Sequence, residues 1–448
     1  MLSESILEHA QAFRAGRYSP LEVVEDCLSR IEALDDKIHA WVLVDAEDAR
    51  EAAARAAAEL AAGQDRGPLS GIPVGIKDIV DVAGWPTEAG STLRRGHMAQ
   101  RDATVVARLR EAGAVILGKT VTTEFACFDP PPTRNPWNLR HTPGGSSSGS
   151  AAAVALGMCL TAIGSQTGGS INRPASYCGI CGLKPTFGRV SVAGVVPVSF
   201  HLDHIGPLGG RVSDLAAVLQ AIAGHDERDP LSQDRPVDEY LRDVGRSLAP
   251  RLGLVGEFLD QADATIRDET LAAIERLRDG GATVETINMP ESMRRVGSLH
   301  RRIMAVEAAE IHRGTFATHR SAYGPRIASL IDEGLCTTAV DYAEALRWQR
   351  PMRRDVVEAM AHFDALLAPA TPTTAPADLS TTGDPRLNSP LSYLGLPTVS
   401  FPCSLAADGM PCALQLIGRP LEERPLLAMA AWCESQLGFD ALPPGLGG

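Results

Sequence analysis

Three features of the 448-residue sequence predict an α/β fold. Helix, glycine and strand follow one another in that order, as at residues 102–117 and 251–287, which is the punctuation of α/β chains. Several short runs are almost wholly apolar, the texture of strands buried on both faces. Two Gly/Ser clusters, Gly144 to Ser150 and Gln166 to Ser170, flank a small apolar run from Ala151 to Gly164. Flexible linkers do not alternate with segments that must be buried, so these clusters belong to the interior.

The N-terminal 62 residues read as helices. Ser19-Pro20-Leu21-Glu22 is a capping-box start with proline at the first helical position. Leu21, Val24, Leu28 and Ile31 follow at helical spacing, and the Ala/Glu/Arg-rich run 46–62 ends at Gly63. Gly71 to Val80 is a nearly all-apolar run that reads as a buried strand delivering Lys77 at its end. Asp102 is expected to cap a helix carrying Val105, Val106 and Leu109, closed by Gly113 and followed by a strand at 114–117. Beyond the clusters, 213–223 is helical, 251–255 a strand, 264–277 a helix and 282–287 a strand. Residues 292–362 are mainly helical; 365–368, 398–401 and 413–417 are strands, and 426–437 is the last helix. The Pro/Thr-rich stretch 369–387 lies between strands and reads as a pocket-side loop.

Composition bounds the function. A length of 448 suggests about three domains, but no repeat or linker divides the chain. The net charge of −13 and the lack of a basic run argue against direct binding of nucleic acid. No signal peptide and no apolar run of about 20 residues is present, and nine scattered cysteines fit reduced thiols, so a cytoplasmic protein without membrane contact is expected. Of 42 basic residues only Lys37, Lys77, Lys119 and Lys184 are lysines. Arginine serves elsewhere, and what arginine cannot do is lose its proton.

Several motifs compete. Gly144 to Gly149 has phosphate-loop spacing, but Ser150 stands where lysine is needed. Gly145-Ser146-Ser147-Ser148-Gly149 matches Gly-x-Ser-x-Gly, which would make Ser147 a nucleophile, with His300, His312, His319 and His362 as downstream histidines outside any motif. Cys178-Gly179-Ile180-Cys181 lacks the second ligand pair of a zinc site, and His201-Leu202-Asp203-His204, a lone short His pair in a Gly/Pro-rich loop, reads as structural, so neither a metal nor a cofactor is expected. Lys77, Ser146 and Ser170 fit together better. A serine hydroxyl needs a base, and a neutral lysine is available if burial lowers its pKa by roughly 3, equivalent to about 4 kcal/mol. Gly168 and Gly169 let backbone N–H groups converge as an oxyanion hole. A structural turn beside an ion-paired Lys77 is the competing account.

Gly144 to Ser150, Thr167 to Ser170, Pro174-Ala175, Cys178-Gly179 and Gly182 to Thr186 together resemble the signature of the amidase signature family. Gly71 to Val74 with Ile76-Lys77-Asp78 resembles its lysine motif. Gly118 to Thr120, Glu124-Phe125, Asn135-Pro136 and Pro411 to Gln415 match weaker landmarks. The resemblance implies one domain over residues 1–448: a mixed central sheet covered by helices, with an N-terminal helical layer (1–62), a catalytic core (63–215) and the remaining sheet, helices and pocket loops (216–448). It further implies amide hydrolysis by a Ser–cisSer–Lys triad. Ser170 would be the nucleophile, Ser146 the relay on a cis peptide, Lys77 the base, and the N–H groups of Thr167, Gly168, Gly169 and Ser170 the oxyanion hole. Cys127, Phe128, Thr371 and Tyr393 would line the substrate pocket. Gln166 departs from the family's frequent Asp, and Asn172-Arg173 from its frequent Arg followed by another residue. The expected activity is hydrolysis of a small carboxamide, with two alternatives: the glutaminase subunit of a tRNA-dependent amidotransferase, and a hydrolase of ureides such as carboxybiuret or allophanate. Both a homodimer and a complex with a partner subunit stay open.

Overall fold

The short apolar runs pair with one another. In the computed structural model, which describes residues 4–246 and 249–444, eleven strands join into one mixed sheet. They are β1 (Trp41–Val44), β2 (Pro73–Lys77), β3 (Val115–Thr120), β4 (Thr161–Gln166), β5 (Cys181–Lys184), β6 (His204–Gly209), β7 (Arg251–Val255), β8 (Thr283–Ile287), β9 (Ala365–Pro369), β10 (Thr398–Leu405) and β11 (Pro411–Ile417). Their spatial order is β1-β3-β2-β4-β6-β5-β10-β11-β9-β7-β8. The β3-β2-β4 and β9-β7-β8 groups are parallel, and antiparallel pairs join them through the middle. Every residue of β2, β3 and β4 is buried, as expected of strands covered on both faces.

The helices cover this sheet. Ser19 caps helix Pro20–Ile38: its Oγ accepts from Glu22 N–H at 3.3 Å, and Glu22 accepts from Ser19 N–H at 2.7 Å. Such a cap is worth about 0.5–2 kcal/mol. Gly149 shows why the first cluster is rich in glycine. Helix Ser148–Ala155 approaches the end of β3 so closely that a Cβ there would lie 2.2 Å from Ala40 O and 2.4 Å from Val121 N.

Four expectations need correction. The N-terminal segment is not wholly helical, since Trp41–Val44 forms edge strand β1 against β3. Helix Thr104–Glu111 has Ala103 at its N-cap with no side-chain cap; Asp102 instead accepts from Ala83 N–H and pairs with Arg110. Strands β5 and β6 were not expected from their Gly- and Pro-containing sequences. Helices Asn172–Cys178 and Ser389–Leu394 are likewise additional. No helix among the described residues is long and apolar enough to cross a membrane.

Candidate active site

The site begins at the C-terminal end of β2. Parallel pairing with β4 places Val74, Gly75 and Ile76 beside Thr161, Ala162 and Ile163, so the strand runs through the core and Lys77 emerges inside it. Lys77 is fully buried. Its Nζ lies 2.6 Å from Ser146 Oγ and 2.8 Å from Ser165 Oγ. Ser146 follows a cis Gly145–Ser146 peptide, and Ser165 comes from neighbouring β4. Among the described residues no carboxylate pairs with this amine. Burial therefore draws its pKa from the ordinary 10.5 to about 7, against the opposing charge of Asp203.

Strand β4 ends at Gln166, and the turn 167–170 leads into helix Asn172–Cys178. Gln166 Oε1 accepts the N–H groups of Ile171 and Asn172 at 2.9 and 3.0 Å, satisfying two of the donors a helix start leaves open. Its Nε2 donates to Ser392 Oγ, which donates to Gly168 O at 2.7 Å. His300 Nε2 lies 2.9 Å from Thr167 O, and Thr167 Oγ1 donates to Asp203 Oδ1 at 2.5 Å. Asp203 is itself held by the N–H groups of Val198 and Ser199. The carbonyls of the turn are thus fixed from outside, which fixes the direction of its amides. Among the described residues the N–H groups of Gly168, Gly169 and Ser170 have no acceptor in the protein. A Cβ on Gly169 would stand 2.8 Å from Asn388 Oδ1 and 3.2 Å from Asn388 Cβ and Pro385 Cβ, so a larger residue there has to displace the Asn388 side chain.

These groups face one cleft of about 800 Å³, lined by Ser146, Thr167, Gly168, Gly169 and Ser170. Its wall includes Phe128, Met304 and His300, with Thr382, Asp384, Pro385 and Arg386 from the expected pocket-side loop. Lys77 sits behind Ser146, out of the cleft. Arg173, buried at the cleft wall, donates through Nη2 to Gly145 O at 2.7 Å and through Nη1 to Gly383 O. The two departures therefore resolve into a neutral Gln166 cap and an arginine displaced by one position that holds the first loop.

Other candidates separate. Ser147 is fully buried; its hydroxyl donates to Ser170 O at 2.5 Å and Ser165 O at 3.3 Å. It ties the two loops together and does not reach the cleft. Of the four pocket candidates, Phe128 lines the cleft, whereas Cys127, Thr371 and Tyr393 do not. Cys127 is buried behind the turn that carries Phe128. Thr371 Oγ1 is turned to Thr373 O, and the Tyr393 hydroxyl donates to Ala345 O. Lys119 pairs with Asp78 at 2.8 Å, and Lys184 donates to Leu396 O and Pro185 O. All three lysines outside the N-terminal helices are fully buried. Sequence reasoning missed Ser165 and Asp203. A hydroxyl in the buried strand before Gln166 is a signal for the first; Asp203 lies inside the short His pair that reads as structural.

Comparison with known proteins adds four findings. The Amidase family model matches residues 22–427. The A subunit of the glutamyl-tRNA(Gln) amidotransferase of Anaeromyxobacter sp. (strain K) is 39% identical, over 95% of this chain and 94% of its own length. Among solved structures, one described as a vestigial protein complex that reveals the evolutionary origins of an s-triazine catabolic enzyme superposes with a TM-score of 0.91 at 32% identity, covering 98% of this chain and 100% of that one. The peptide amidase of Stenotrophomonas maltophilia superposes with a TM-score of 0.86 at 30% identity, covering 99% of each chain.

Proposed function

The chain belongs to the amidase signature family and acts on amide carbon–nitrogen bonds, and from that premise we propose that it cleaves a carboxamide through an acyl-enzyme on Ser170. The observation that carries the reading is the Lys77 amine, fully buried and 2.6 Å from the hydroxyl of Ser146. With a pKa brought to about 7, it is substantially neutral at neutral pH and can take a proton. Ser170 Oγ attacks the carbonyl carbon while its proton passes to Ser146, whose own proton passes to Lys77. The N–H groups of Gly168, Gly169 and Ser170 receive the oxyanion; Thr167 completes the turn, its amide being the fourth candidate donor. Each such donor is worth about 3 kcal/mol of barrier. The same relay, reversed, protonates the departing nitrogen. Water then enters along the same path, gives its proton to the relay and frees the acid.

Two substrate roles have specific support. As the glutaminase component of a tRNA-dependent amidotransferase, the chain would release ammonia from glutamine for a partner subunit. The 39% identity over nearly the full length of such a component supports this. A partner that handles the tRNA makes the acidic charge of this chain no obstacle. As a free-standing amidase it would act on a larger carboxamide; the cleft of about 800 Å³ and the likeness to a peptide amidase support that role. The amidotransferase reading has the stronger sequence support and is the one we adopt.

Ammonia release from glutamine, aliphatic and aryl carboxamides and ureides, with and without co-purified protein, tests both levels. The amidotransferase reading expects glutamine turnover that rises with a partner and disappears in Ser170→Ala and Lys77→Ala. Turnover of carboxamides or ureides but not of glutamine would sink the amidotransferase role and keep the chemistry. Ammonia from no member of the panel would sink the chemistry.

A further inference from the structure

A second cavity, of about 500 Å³, lies on the other side of the turn that carries Phe128. It is lined by Arg94, Arg95, His97, His312, Thr315 and Tyr323, with Phe125 in its wall and no aspartate or glutamate. In a chain of net charge −13 that is an unusual local balance. Arg94 is half-buried. Its Nε donates to Thr87 O at 3.1 Å, while among the described residues neither Nη has an acceptor. The acids behind it, Asp78 and Asp81, do not line the cavity, and Asp78 is committed to Lys119 at 2.8 Å. His312 is buried with Nδ1 3.2 Å from the Tyr323 hydroxyl, and its ring packs against Phe125 at 4.5 Å. A guanidinium fork with two free edges, flanked by a second arginine and an imidazole, matches the geometry of a carboxylate or phosphate group.

We propose that this cavity binds a small ligand through an oxyanion group, carboxylate or phosphate, held by Arg94 with Arg95 and His97 at its mouth. Two elements connect it to the cleft. Phe125 faces this cavity, while Thr123, Ala126 and Phe128 of the same turn face the cleft, and Phe125 and Ala126 hold left-handed φ values of 48° and 56°. Helix Val296–His319 gives His300, Arg301 and Met304 to the cleft, and Ile311, His312 and Thr315 to this cavity. The two cavities thus share wall elements, and the binding proposed here does not depend on the amidase reading.

Calorimetric titration with inorganic phosphate and with succinate, separately and at constant ionic strength, tests the site. The expected result is saturable binding of at least one anion, weakened tenfold or more by Arg94→Met and several-fold by the exposed pair Arg95→Ala/His97→Ala, with Ser170→Ala binding as wild type. Succinate alone would assign a carboxylate ligand and phosphate alone a phosphate; either supports the site. Should Arg94→Met fail to fold, the surface pair decides. No saturable binding of either anion overturns the proposal. So does binding that survives both sets of substitutions but is lost in Arg386→Ala, since the anion would then belong to the cleft.

Discussion

Asp203 occupies a position that no local pattern announces. It accepts from Thr167 Oγ1 at 2.5 Å, and it is the leading charge opposing the depressed pKa of Lys77. Burial raises its own pKa to about 6. Asp203→Asn removes the charge and keeps much of the hydrogen bonding, so the Lys77 pKa falls further. The acid limb of kcat/KM then moves to lower pH, while kcat falls through looser support of the turn. An acid limb unchanged in position would separate Asp203 from Lys77. What the sequence made legible here were residues whose chemistry is written locally: Lys77 at the end of an apolar run, and serines between glycines. Ser165 and Asp203 reach Lys77 through strand pairing and a loop some 125 residues downstream, and such juxtapositions leave no periodicity in the chain. Cys127, Thr371 and Tyr393 fail as lining residues for the converse reason, because proximity along the chain to a pocket does not decide where a side chain turns.

The elements around the first cluster work through closeness. Helix Ser148–Ala155 packs its glycine onto backbone atoms of Ala40 and Val121. Gly149→Ala must push those atoms away, and at this site a cost of about 1–3 kcal/mol is expected, as for overpacking elsewhere. Thermal unfolding of Gly149→Ala checks this; an unchanged melting temperature would mean that the helix stands off more than described. Long apolar or periodic elements were readable. β1 was not, being four residues between two helices, nor β6, whose sequence His-Ile-Gly-Pro-Leu-Gly carries residues that disfavour strands. Pairing with β4 along its whole length overrides that preference, and the ladder to β5 covers only Leu208 and Gly209, leaving Pro207 outside it. Asp102 lost its expected cap because Ala83 N–H and Arg110 compete for the same carboxylate.

For the whole molecule, the buried amine has a thermodynamic consequence. The folded-state pKa of Lys77 is about 7 against an ordinary 10.5, so between these values the unfolded chain holds a proton that the folded chain has released. Stability attributable to this group therefore rises with pH across that window and is lowest below it. Lys77→Met, which removes the group, should be more stable than wild type at pH 6, with the advantage shrinking towards pH 10. Denaturant unfolding across this range measures it, and a pH-independent difference would mean that Lys77 is not desolvated as described. Lys184, also brought to about 7 by burial, is common to both proteins and cancels from the comparison. The same buried amine links stability to the proposed chemistry, since the energy that disfavours its charge makes it a base. In the proposed mechanism Ser170, and not Ser147, carries the reactive hydroxyl. Fluorophosphonate labelling mapped by mass spectrometry tests this directly. A label on Ser170, retained in Ser147→Ala and absent from Ser170→Ala and Lys77→Met, is the expected result; a label on Ser147, or one that persists in Ser170→Ala, would contradict it.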